Sequence, residues 1–104
     1  MKTLLEEIGI SELTHGQVET LCSIAEEAAR DYVLSKVPSR KVPVLNITVD
    51  TEGSKPVTVD VEVEITLSAL MKNYDVKKLA KEATKQAFKA VKAYLRELAC
   101  KSTR

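Results

Sequence analysis

Six cations near the C-terminal end of the chain are spaced to act together. Lys78, Lys81, Lys85, Lys89, Lys92 and Arg96 step by 3, 4, 4, 3 and 4 residues. At 100° per residue they line one helix face. Such a row could lie along the phosphate backbone of RNA or DNA, with affinity falling steeply in salt. It could equally meet an acidic protein surface. The plainer reading is a solvated face, because lysine is simply a good helix former. Single-stranded recognition usually adds aromatic side chains for base stacking, and Phe88 and Tyr94 fall off this face. Charge is also segregated along the chain. Residues 72–104 hold ten Lys or Arg against three acids, whereas residues 44–67 hold one against five. The whole chain carries only +1, which argues against a dedicated nucleic-acid binder.

The other chemistry-bearing residues point nowhere as clearly. Asp50, Asp60, Glu62 and Glu64 could hold a hard cation, but strand neighbours two residues apart lie about 7 Å from one another. That is too loose for one site, so these read as a solvated strand face and no metal site is assigned. His15 is the single histidine and has no second group near it in sequence, whereas acid–base catalysis needs a positioned partner. Cys22 reads as a small buried apolar residue and Cys100 as exposed. Antiparallel helices would hold them about eight residues, or roughly 12 Å, apart along the axis. A disulfide needs Cα atoms within about 7 Å, so no bridge is expected. No Walker loop, dinucleotide fingerprint, CxxC, HExxH or nucleophile elbow occurs in the sequence. The expectation is a non-enzyme without a cofactor.

The elements that would position these residues are legible. Residues 14–37 read as a helix: Thr14 with Gln17 three residues on forms a capping box. Val18, Leu21, Cys22, Ala25, Ala28, Ala29, Tyr32 and Val33 recur as one apolar stripe. Leu4, Leu5, Ile8 and Ile10 suggest a short helical turn before it, ended by Gly9. Pro38 and Pro43 bracket a basic linker, since neither belongs inside a helix. Residues 44–52 alternate, with Leu45, Ile47 and Val49 on one face and Asn46, Thr48 and Asp50 on the other. Gly53-Ser54-Lys55-Pro56 is a turn by composition. Across residues 57–67, Val57, Val59, Val61, Val63, Ile65 and Leu67 alternate with polar, mostly acidic residues, which predicts a β-hairpin. Asp75 caps a helix over about 75–100, whose apolar side carries Val76, Leu79, Ala80, Ala83, Ala87, Val91, Tyr94 and Leu98.

One apolar stripe per helix and one apolar face on the hairpin predict a single α+β domain over residues 1–104. Its order is helix-strand-strand-helix, in two layers, with the hairpin covered on one face by two long antiparallel helices. Both strands of a hairpin are edges, and an open edge invites pairing with another chain. A homodimer through the exposed edge of residues 57–67 follows as an expectation.

Composition agrees with this. Charged residues are 30% and hydrophobic residues 44%, with no Trp and one Phe, so the core must be aliphatic. Apolar runs are far shorter than the about 20 residues of a membrane span. Glu6 and Glu7 follow the N-terminus too closely for a secretory signal, so a cytoplasmic protein without a membrane partner is expected. High Lys and Glu beside only two Gln and two Asn lean toward a thermophile.

Over nearly its whole length the chain resembles a family of small uncharacterised archaeal proteins. The resemblance rests on residues 28–37, from Ala28-Ala29-Arg30-Asp31-Tyr32 to Val37, running into Leu45-Asn46-Ile47-Thr48-Val49. It continues through the alternating strand at 57–67 and the terminal Ala90-Val91-Lys92-Ala93-Tyr94-Leu95 segment. It implies the two-layer α+β fold and no established activity. It also implies genes often near that of an archaeal prefoldin subunit, hence chaperone- or translation-related company. The function expected is a small non-catalytic protein-interaction or assembly module. The alternative is an RNA- or DNA-binding protein using the six cations.

Overall fold

A computed structural model describes residues 2–4, 13–53, 57–71 and 73–102, with side chains for 13–53, 57–71 and 73–98. In chain order it contains β1 (Lys2–Leu4), α1 (His15–Lys36), β2 (Val44–Glu52), β3 (Thr58–Thr66) and α2 (Val76–Ser102). Short 3-10 turns at Ser39–Lys41 and Ala69–Met71 sit in the two helix–strand connections.

The start of α1 is set by its cap. Thr14 Oγ1 accepts from the Gln17 amide at 3.2 Å, and the Thr14 amide donates back to Gln17 Oε1 at 2.9 Å. Thr14→Ala should therefore cost about 1 kcal/mol, read as a fall in the thermal midpoint. The helix ends where Val37 turns extended before Pro38, because a residue preceding proline is pushed out of the helical region.

β2 and β3 pair antiparallel without a bulge, from Val44↔Thr66 to Glu52↔Thr58. Gly53 leaves β2 with φ 76, a conformation glycine adopts without steric cost. Leu45, Ile47 and Val49 face the same way as Val59, Val61, Val63 and Ile65, and both helices cover that side. The two-layer arrangement expected from the alternation is what forms.

The core is aliphatic. Leu21, Ala25, Ala29 and Val33 of α1 meet Leu79, Ala83, Ala87, Val91 and Leu95 of α2, over Val57, Val59 and Val61. Ala25, Ala29, Ala83 and Ala87 are fully buried, and their small side chains let the two helix backbones come close. Phe88 and Leu95 are also in the core, outside the stripe read from the sequence. α2 touches both α1 and β3, so its buried arc is wider than a single-neighbour stripe.

Three expectations change. The sheet has a third strand, with β1 antiparallel to β3 through Lys2↔Asp60, Thr3↔Val59 and Leu4↔Thr58. Leu4 thus belongs to a strand rather than a helical turn; Leu5, Ile8, Gly9 and Ile10 lie outside the described residues. A β3 edge left open would strand backbone donors and acceptors, and three residues are too few to show an alternation. In consequence β3 is the central strand over Thr58–Asp60, and the edge expected at 57–67 is open only beyond Asp60. Finally, α2 runs to Ser102, two residues past the expected end. No described helix is long and apolar enough to cross a membrane.

Candidate functional site

α2 is fixed at its first turn by Asp75, whose Oδ1 accepts from the Lys78 amide at 3.0 Å. From there its buried row, Leu79-Ala83-Ala87-Val91-Leu95, is pinned to α1 and the sheet. The cations lie on the side of α2 away from the mean direction of that row: Lys81, Lys85 and Lys89 are two residues from the nearest of its members, and Lys78, Lys92 and Arg96 are one. Lys78, Lys81, Lys85, Lys89, Lys92 and Arg96 are all exposed. The structure brings all six onto one ridge, which spans 18 residues or roughly 27 Å at 1.5 Å per residue. One of them is engaged locally: Lys85 Nζ lies 3.5 Å from Glu82 Oε1. A single surface pair of this kind holds little energy and leaves the side chain free to be recruited.

The opposite side of the molecule has the opposite sign. On the outer face of the hairpin Asp50 stands across from Asp60, Glu62 from Thr48 and Glu64 from Asn46. The Asn46 amide nitrogen donates to Glu64 Oε1 at 2.8 Å. Among the described residues, no group of three or more His, Cys, Asp or Glu could hold a metal ion.

His15 is exposed at the first turn of α1, with Nε2 3.2 Å from Glu19 Oε1. Cys22 is a free, half-buried thiol. Burial pushes it above its ordinary pKa, and the nearby Asp50 carboxylate adds to the rise, so at neutral pH it stays protonated and a poor nucleophile. The side chain of Cys100 lies outside the described residues.

One grouping was not legible in the sequence. Tyr32 and Lys36 from the end of α1 meet Asn73, Tyr74 and Asp75 and the first turn of α2, lining a cleft of about 400 Å³ with Lys78, Leu79 and Glu82. Lys36 Nζ stands 5.6 Å from the Tyr32 ring centre, within cation–π range. The cleft also shows that α1 and α2 are antiparallel, since the end of one meets the start of the other. The ridge itself carries no aromatic: Phe88 is buried and Tyr94 half-buried.

Known proteins add family but not activity. Residues 10–94 match a family described as "Protein of unknown function (DUF3194)". An uncharacterized protein of Thermococcus kodakarensis is 31% identical over 93 residues, covering 88% of this chain and 84% of that one. A crystal structure from Thermococcus onnurineus superposes with a TM-score of 0.76 at 27% identity, over 97% of this chain and 96% of the other. The solution structure of a hypothetical protein from Methanothermobacter thermautotrophicus gives 0.69 at 24% identity, over 83% and 92%. These relatives come from thermophilic archaea, the direction in which the Lys- and Glu-rich composition leans.

Proposed function

Because the chain belongs to the DUF3194 family of unknown function, its role must be argued from its own surfaces, and we propose a small non-catalytic interaction module of a cytoplasmic assembly. Its recognition surface is the α2 ridge, and its partner is an acidic protein surface. The observation that carries this reading is the alignment of six exposed cations over roughly 27 Å of one rigid helix. They stand opposite the core, where the fold itself has no use for them. A rigid helix presents its charges without the ordering cost that a flexible basic tail would bear. Company with a chaperone or translation complex, which the family resemblance implies, fits such a module.

The runner-up reading is RNA or DNA binding by the same six residues. The length of the ridge favours it, and one feature counts against it. The ridge offers no ring on which an unpaired base could stack. The two readings separate in one titration. Labelled poly-glutamate and a labelled single-stranded RNA of matched length are followed by fluorescence anisotropy at low salt. Tighter binding of poly-glutamate is expected. Tighter binding of the RNA would move the assignment to nucleic acid, and no binding of either would remove the ridge as a site.

A further inference from the structure

The outer edge of β2 is the longest open strand edge among the described residues. β3 is flanked on both sides over Thr58–Asp60, whereas β2 has a strand neighbour on one side only. Isolated edges are normally guarded by a bulge, a proline, a lysine or a covering segment. β2 shows none of the first three. Its nine-residue register with β3 is unbroken, Pro43 stops short of it, and its only charges, Asp50 and Glu52, sit at one end. The residues it turns toward the helices are also incompletely covered. Leu45, Ile47 and Val49 remain half-buried, as do Ile65 and Val63 opposite the first two on β3, whereas Val59 and Val61 are buried. This half-covered apolar row reaches the unguarded edge at β2, where a further strand can extend the sheet and its cover.

We propose that this edge docks a second copy of the chain, β2 against β2, antiparallel about a twofold axis at Thr48. The register follows from charge and face. Antiparallel partners directly opposite share a face of the sheet, so centring on Thr48 keeps the alternation intact and uses all nine residues. It sets Ile47 across from Val49 of the second copy, and Asp50 across from Asn46. No carboxylate meets another. Sliding the axis to Asp50 would place that carboxylate against itself, and like charges directly opposite are destabilising. The result is one continuous sheet of six strands with all four helices on one side. This dimer does not depend on the α2 ridge, and it leaves the ridge exposed on each copy.

The test is molecular mass by light scattering, on the native chain and on the double variant Thr48→Asp/Glu62→Gln. Thr48 and Glu62 are cross-strand partners, so the double change moves one negative charge from β3 to β2 and leaves the monomer's charge unaltered. In the dimer it places carboxylate against carboxylate at the axis. The native chain is expected at twice its 11.5 kDa mass, and the double variant at a single chain with its melting behaviour kept. As a positive measurement, Thr48→Cys in a chain carrying Cys22→Ala and Cys100→Ala should link into a covalent dimer on mild oxidation, since opposed Cα atoms lie about 4.5–5.5 Å apart. A native chain of single mass, a double variant that stays dimeric, or a Thr48→Cys chain that does not link would each overturn the proposal.

Discussion

Leu21→Ala is expected to cost about 2–5 kcal/mol of folding free energy, enough to lower the thermal midpoint by about 10 °C or more. Leu21 is fully buried and among the largest side chains in the core. It belongs to one closely packed aliphatic cluster, whose side chains relax only partly into the space its removal would leave. The cavity therefore persists, and its cost adds to the lost transfer free energy. A domain of this size has only about 5–15 kcal/mol in total, so the change is a large share of what holds it together. Leu34 supplies the control. It lies one residue past Val33 on the same helix but is 39% exposed, so Leu34→Ala should stay within about 0.5 kcal/mol. Chemical denaturation of both variants, followed by circular dichroism, checks the pair. Equal effects would mean that α1 does not present the face described.

Lys85→Glu/Lys89→Glu is expected to weaken binding of an acidic polypeptide by about tenfold or more at low salt, with folding nearly unchanged. The two residues lie at the middle of the ridge, one turn apart, and both are exposed. Reversal removes two attractions and adds two repulsions where a ligand spanning the ridge must pass. Each cation withdrawn from a polyanion also withdraws about one ion from the salt dependence, so the variant's affinity should fall less steeply with salt than the native one. The structural cost is small: Lys85 loses its surface pair with Glu82, and exposed pairs at this spacing are worth a few tenths of a kcal/mol. Unchanged affinity in the double variant would place the binding elsewhere.

The hairpin and the two helices were legible for a simple reason. Each buries one face against one layer, so a period of two or of 3.6 runs uninterrupted through residues 57–67, 14–37 and 75–100. The ridge was legible on the same grounds, because its 3- and 4-residue steps are themselves helical. What escaped lacked a period. β1 is three residues long, and no alternation can be read from Lys2-Thr3-Leu4. Its position beside β3 also decides which edge of the sheet is open, and strand order is a property of topology rather than of pattern. Leu95 and Phe88 escaped because α2 packs on two neighbours at once. The cleft between Tyr32 and Tyr74 joins the end of one helix to a loop more than forty residues away, a juxtaposition that only the antiparallel packing of α1 and α2 creates.

The claim that the α2 ridge is a recognition surface for an acidic partner is tested most directly by the salt dependence of poly-glutamate binding to the native chain. Binding at low salt that weakens steeply as salt is raised is the predicted result, the mark of several ion pairs forming while counterions leave. Failure to bind at low salt, or an affinity indifferent to salt, would contradict it and leave the six cations as a solvated helix face.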